Sequence, residues 1–348
     1  GGDRMIVDTF AGPGGWDEGL RMIGRTDVVG LEWDAAACAT AKAAGHARIR
    51  TDVATYPTDA FHDVEGFISS PPCQAWSMAG SRKGELDRAN CHRLADRMAD
   101  GDDSLDWTDW EDPRSHLVTQ PVRWVRDLRP EWVALEEVPQ VAGLWEHFAR
   151  IFRAWGYAVW TGDLCAADYG VPQERYRRIL MGSLSAWPLS PPAPTHAEDP
   201  QGLDLFGGHV SRWVTVSDAL GWDEDEVIHP SRGAGMIERH GERPDHPATE
   251  PAPTVISKAR SWTRLKPSPT IVTTRRSAAG MVAGRDLSKG VPVTVEEAGI
   301  LQSFPRDYPW AGSRSKKHEQ VGNAIPPLLA AHVLAALGAG KFTAEAVA

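Results

Sequence analysis

A cysteine follows two prolines in Ser70-Pro71-Pro72-Cys73-Gln74, directly after the apolar run Gly66-Phe67-Ile68. Proline fixes φ and removes a backbone donor, so the pair stiffens the loop that leaves this run. A thiol held on a stiff loop is placed for nucleophilic attack, although the loop alone leaves inert packing open, since free cysteines usually pack as small hydrophobes. A second group of residues points to a bound nucleoside. In Asp8-Thr9-Phe10-Ala11-Gly12-Pro13-Gly14-Gly15 the glycines let backbone amides approach a ligand closely, and Glu32 at the end of the next strand can accept hydrogen bonds from ribose hydroxyls. Trp33 offers a ring to an adenine, and Asp52 follows a further strand. The turn has no Walker lysine and is not a G-x-G-x-x-G, which disfavours ATP and NAD.

Such residues need a scaffold that brings loops together. Met5-Ile6-Val7-Asp8, Val28-Val29-Gly30-Leu31 and Ala47-Arg48-Ile49 read as short strands, the last running on to Asp52-Val53, with helical spacing over Asp17 to Ile23 and Ala35 to Ala44 between them. Phe67-Ile68 enters the Pro-Pro-Cys loop, and Trp132-Val133-Ala134-Leu135 enters Glu136-Glu137. Strands alternating with helices imply an α/β fold with a parallel sheet, whose ligands bind beyond the carboxyl ends of the strands. Every polar cluster named so far falls at such an end.

The 348 residues suit one large α/β domain with an insert, or two domains. Four cysteines without a CxxC pair indicate neither a metal site nor a disulfide framework. No signal peptide and no apolar stretch long enough for a bilayer is present, so a cytoplasmic protein is expected. A net charge of −10 argues mildly against a polyanion partner. Its distribution tempers that: Lys258, Arg260, Arg264, Lys266, Arg275 and Arg276 stand in a stretch free of acids, whereas Asp100 to Asp112 is strongly acidic.

The order of motifs resembles the DNA cytosine-5 methyltransferases from Asp8 to Pro327. The first glycine turn resembles the family's cofactor motif, with Glu32-Trp33 and Asp52 at its ribose and adenine positions. Pro72-Cys73-Gln74 with Ser77, Ala79 and Gly80 is similar to the nucleophile loop, and Asp112-Pro113-Arg114 to the next block. Gln173, Arg175 and Arg177 match a Gln-x-Arg-x-Arg motif, and Leu301-Gln302-Ser303-Phe304-Pro305 and Gln320-Val321-Gly322-Asn323-Ala324-Ile325-Pro326-Pro327 match the last two. The resemblance implies a Rossmann-like S-adenosylmethionine-dependent methyltransferase fold with a smaller inserted target-recognition domain. It implies S-adenosylmethionine as cofactor, held by Asp8, Phe10, Ala11, Gly12, Gly14, Gly15, Glu32, Trp33, Asp52, Pro72 and Asn323. Cys73 would be the nucleophile toward carbon 6 of a flipped cytosine, with Glu136 on the ring nitrogen N3 and the amine, Arg177 on O2, and Arg175 holding the geometry. Double-stranded DNA would be the substrate, met by Gln74, Ser77, Arg82, Lys258, Arg260, Arg264, Arg275 and Arg276. No metal is expected; a monomer is, with a restriction endonuclease as a candidate partner.

The implied division is 1–183 catalytic, 184–290 target recognition and 291–348 returning to the catalytic domain. Three departures stand out. Glu137 occupies a position that is Asn in the family. The stretch from Arg82 to Asp112 is longer than usual and reads as a solvated acidic insert, or as a loop tuning closure. Arg178 after Arg177 allows the arginine motif to be read one position later. Competing classes are an amino-methylating enzyme, disfavoured because Cys stands where its loop needs an aromatic ring, an RNA cytosine-5 methyltransferase, and a binding module that has lost its site. The intact Cys73, Glu136 and Arg177 argue against the last.

Overall fold

The computed structural model describes residues 4–76, 83–104, 110–200, 210–221, 268–269 and 294–343. Its centre is a seven-stranded sheet. Strands β1 (Met5–Thr9), β2 (Val28–Glu32), β3 (Ala47–Arg50), β4 (Val64–Ser69), β5 (Trp132–Glu137) and β6 (Ala158–Cys165) are followed by the two-residue β7 (Gln173–Glu174) and by β8 (Tyr176–Ser183). The order across the sheet is β3-β2-β1-β4-β5-β8-β6. β3 through β5 pair in parallel, and β8 runs antiparallel to both β5 and β6. This is the α/β, Rossmann-like architecture that the alternation of elements implied.

A sheet covered on both faces needs apolar residues at successive positions, which is why β1, β4 and β5 read as continuous apolar runs. Helices α1 (Gly15–Met22), α2 (Ala35–Ala43), α3 (Gly84–Ala99), α4 (Gln120–Leu128) and α5 (Ala142–Ala154) complete the covering, with later helices at Val216–Leu220, Val295–Leu301, Arg314–Asn323 and Pro327–Ala336. One core forms around Phe67, Trp124, Val133 and Phe148, a second around Ile6, Trp16, Ile68 and Leu329, and a third, smaller one around Phe304, Tyr308 and Trp310. In the second core the helix Pro327–Ala336 lies close on α1. A Cβ added at Gly19 would stand 2.7 Å from the Ala330 Cβ and 2.9 Å from the Pro327 carbonyl oxygen.

Two expectations change, and one alternative register is set aside. The third strand stops at Arg50, and Asp52 instead opens a turn, its Oδ1 accepting from the Ala54 amide at 2.9 Å. The stretch after Arg82 is neither a solvated insert nor a loop over most of its length. It forms α3, which buries Cys91, Leu94, Ala95 and Met98 on one side. That helical spacing is hidden among charges, since the rest of α3 faces solvent. Asp106, Trp107 and Asp109 lie outside the described residues. Arg178 turns away to Glu146 and Asp163, so the arginine motif is read at Arg175 and Arg177.

Of the 184–290 segment, described parts include the parallel pair β9 (His196–Ala197) and β10 (Ser211–Arg212), and β11 (Ser268–Pro269), which pairs with β7. Trp213 Nε1 donates to Asp168 at 2.9 Å, tying this segment to the loop before β7. Ser77, Arg82, Lys258, Arg260, Arg264, Arg275 and Arg276 lie outside the described residues. All four cysteines are free, and no metal-holding cluster occurs among the described residues. Among them no helix is long and apolar enough to cross a membrane.

Candidate active site

The carboxyl ends of β1, β2, β4 and β5 open onto one cavity of about 660 Å³. The glycine turn between β1 and α1 forms its floor. Phe10, Gly12 and Gly14 all take positive φ, at 58°, 56° and 118°. This path is natural for glycine and costs strain at Phe10. It directs the Gly12 amide to Glu32, whose Oε2 accepts at 2.8 Å, while Oε1 accepts from the Asp34 amide at 2.7 Å. Burial raises Glu32 above an ordinary carboxylate, and these amides pull it back. Asp34 caps α2 by accepting from the Ala36 and Ala37 amides.

A buried network supports the turn from behind. Arg48 grips both oxygens of Asp17, at 2.8 and 2.6 Å, with both side chains essentially inaccessible. Tyr308 donates to the Pro13 carbonyl at 2.6 Å, and a His46 ring nitrogen lies 2.8 Å from Glu18. Asp8 belongs to this layer rather than to the cavity. It is completely buried, neither carboxylate oxygen has a partner, and burial and then the nearby Asp17 raise it well above its usual range. Gly14 also faces the supporting layer, because a Cβ there would meet Tyr308 at 2.5 Å and His46 at 2.8 Å. Asp8 and Gly14, expected to hold the cofactor, thus stand behind the turn rather than on the cavity wall. Phe10, Ala11, Gly12, Gly15, Glu32, Trp33, Asp52, Pro72 and Asn323 do line the cavity.

That lining fits a nucleoside cofactor. A Cβ at Gly12 would meet no atom within 4 Å, so glycine leaves open cavity there. Trp33 stands 69% exposed beside the Glu32 carboxylate, leaving its ring free to cover a flat base.

The other end of the cavity carries the reactive groups. Cys73 begins a single helical turn, Cys73–Ala75, after the two prolines. Trp16 Nε1 donates to Ser70 Oγ at 2.9 Å and joins this loop to α1. Glu136 is the penultimate residue of β5, and its Oε1 pairs with Arg177 Nε of β8 at 2.8 Å, both side chains nearly buried. The β5–β8 ladder sets Glu136 against Ile179, so Arg177, two residues earlier on β8, lies diagonally across on the same face. Burial and then Glu137 push the Cys73 thiol up to about 12, opposed by Arg177. At rest the sulfur therefore carries its proton. Gln74 also lines the cavity.

Arg175, expected to hold the site's geometry, does not line the cavity. It is fully buried and donates to the Gly322 and Ala324 carbonyls at 2.9 and 2.8 Å. It thereby fixes the segment that presents Asn323. Burial and then Arg177 hold its guanidinium well below the usual arginine range.

Among the lining residues that sequence reading left without a site role, three are polar and well placed. Lys316 reaches Asp34 at 2.9 Å across the cavity rim. Arg114 and His116 also reach it, on a segment held by Asp87 of α3, which accepts from the Glu111 and Asp112 amides at 2.8 and 3.0 Å. A lone Lys or His carries no local signal for such a place. It is set by which segments meet.

Comparison with known proteins agrees with this geometry. The family described as C-5 cytosine-specific DNA methylase matches residues 4–95 and 107–339. Type II methyltransferase M1.HphI of Haemophilus parahaemolyticus is 28% identical over 345 residues, covering 93% of this chain and 84% of the relative. Type II methyltransferase M.DdeI of Desulfomicrobium norvegicum is 26% identical, covering 93% and 86%. Among solved structures, Dnmt2 methyltransferase of S. pombe shares the fold, with a TM-score of 0.59 at 15% identity, covering 96% of this chain and 98% of that one.

Proposed function

Because the chain belongs to the C-5 cytosine-specific DNA methylase family, we propose that Cys73, Glu136 and Arg177 act together on one flipped cytosine. The chain is a DNA cytosine-5 methyltransferase that uses S-adenosylmethionine. The observation that carries the residue assignment is their meeting in one cavity with the glycine turn, Glu136 and Arg177 paired at 2.8 Å.

Carbon 5 of cytosine is a poor nucleophile. Addition of the Cys73 sulfur to carbon 6 moves electron density onto carbon 5, replacing one difficult step by easier ones. Glu136 shares a proton with N3 as the adduct forms and orients the exocyclic amine. Arg177, fixed by Glu136, presents donors to O2, where charge accumulates. S-adenosylmethionine supplies the methyl group when bound, and Phe10, Gly12, Glu32, Trp33, Asp52 and Asn323 would hold it. Loss of the carbon 5 proton then expels Cys73 by β-elimination. A stacked base offers neither edge to these groups, so the target must leave the duplex, at a cost of a few kcal/mol.

The remaining expectations are proposals of the same reading. Residues 184–290 recognise the target sequence, and the basic stretch from Lys258 to Arg276 contacts phosphates. The enzyme acts as a monomer in the cytoplasm, paired in its host with a restriction endonuclease for the same site.

Incubation with cofactor and duplexes carrying 5-fluorocytosine in pooled sequence contexts tests the assignment. The fluorine blocks elimination, so a denaturation-resistant protein–DNA complex is expected with the wild type and none with Cys73→Ala, which should keep its fold and cofactor affinity. A wild type that binds cofactor and forms no complex in any context would overturn it.

A further inference from the structure

Three separate stretches of the 184–290 segment meet the short connection between β6 and β8, Ala166 to Glu174. Asp168 holds two of them at once. Its backbone carbonyl accepts from the Thr195 amide at 2.9 Å, just before β9, and its Oδ1 accepts from Trp213 Nε1 at 2.9 Å, just after β10. These two stretches are also tied to each other. The Ser211 amide donates to the Thr195 carbonyl and the Trp213 amide to the Ala197 carbonyl, both at 2.9 Å. Tyr169 donates to the Pro192 carbonyl at 3.0 Å, and a Cβ at Gly170 would stand 2.8 Å from the His196 ring. The third stretch is β11, paired with Gln173 and Glu174 of β7.

The same connection runs straight into Arg175 and Arg177. Its Ala166 amide donates to the Arg175 carbonyl at 2.9 Å, which joins its two ends. Ala166, Ala167, Tyr169, Val171, Gln173 and Arg175 are all buried. Such packing leaves no slack, so a displacement at one end is passed on rather than absorbed. We propose that Asp168 and Trp213 are positioning residues that couple the seating of the 184–290 segment on its target to the placement of Arg177 against the flipped cytosine. The inference rests on that segment reading the target and on Arg177 holding the base. Neither Asp168 nor Trp213 lines the cavity, so neither touches the reacting atoms. On the right sequence the segment rests with Trp213 on Asp168, and Arg177 stays paired with Glu136. A segment seated askew on a wrong sequence pulls on Asp168, and the connection carries the displacement to Arg177.

The test takes the sequence that wild type captures from the pooled 5-fluorocytosine duplexes, and a second duplex with one base pair of it changed. The adduct rate is measured on each at saturating DNA. Trp213→Phe keeps a ring and removes the donor. It is expected to slow the adduct about tenfold on the captured sequence and to leave the rate on the altered duplex unchanged, with cofactor affinity and Tm held. Asp168→Ala should do the same, and the double variant should be no slower than either single one, because both remove one hydrogen bond. Asp168→Asn keeps the acceptor and is expected within about threefold of wild type. Equal slowing on both duplexes, weaker DNA affinity with an unchanged rate at saturation, or a Trp213→Phe rate equal to wild type would each overturn the coupling. If Asp168→Ala fails to fold, Trp213→Phe and Asp168→Asn decide by the same criteria. An exchange of residues 184–290 that leaves the methylated sequence unchanged would instead refute the recognition reading, and absence of any wild-type adduct the Cys73 assignment.

Discussion

Asp17 and Arg48 form a buried pair whose members have little meaning apart. Burial alone would raise Asp17, but the charge and two hydrogen bonds of Arg48 hold it below the ordinary carboxylate range. Removing one charge strands the other in a dry interior, typically at about 3–5 kcal/mol. Asp17→Asn is accordingly expected to lower unfolding free energy by about that amount near neutral pH, read by urea denaturation. A carboxylate with a depressed folded pKa contributes above its unfolded pKa and loses that contribution as pH falls through the folded one. The gap between wild type and variant should therefore narrow below about pH 4. A constant gap across the acid range would show that shape, not charge, holds the pair.

At the level of elements, the site depends on a close approach between α1 and the segment carrying Asn323. A Cβ at Gly15 would stand 2.4 Å from the Ile325 carbonyl oxygen, a backbone atom with no rotamer to escape into. Gly15→Ala is expected to cost about 1–3 kcal/mol and to weaken cofactor binding more than it weakens the fold, measured by calorimetry and thermal melting. Unchanged cofactor affinity would mean that the segment can shift. The elements carrying the motifs were legible because buried parallel strands declare themselves as apolar runs. β1, β2, β4 and β5 fall close to where Met5, Val28, Phe67 and Trp132 announce them. α3 was not legible, because its few buried residues are spaced over four turns and outnumbered by charges. Cys73, Glu136 and Arg177 could be placed from strand ends and motif order. The supporting place of Arg175 followed from its motif, but that Asp8 and Gly14 stand behind the cavity wall could not be read, since depth there has no sequence signature.

For the whole molecule, the 184–290 segment enters after β8 and touches the catalytic part at several described places, among them β7 with β11, Asp168 with Trp213, and Tyr169, whose hydroxyl donates to the Pro192 carbonyl at 3.0 Å. Exchanging residues 184–290 for the corresponding segment of M1.HphI is expected to retain cofactor binding and the 5-fluorocytosine adduct while moving methylation to a different sequence, read by bisulfite sequencing. An exchange that leaves the methylated sequence unchanged would place recognition elsewhere.

The meeting of Gly15 with Ile325, and of Arg175 with the carbonyls flanking Asn323, also has a meaning in time. One wall of the cofactor cavity is made early in translation and the opposite wall late. A nascent chain that has formed β1 to β8 has its nucleophile and its acid but an unclosed cavity. Contacts this distant in sequence are slow to form. Catalysis is therefore expected only once the late segment has docked. The same geometry makes the chain a natural two-piece switch: cut within 184–290, each half would be inert, and catalysis would report their reunion.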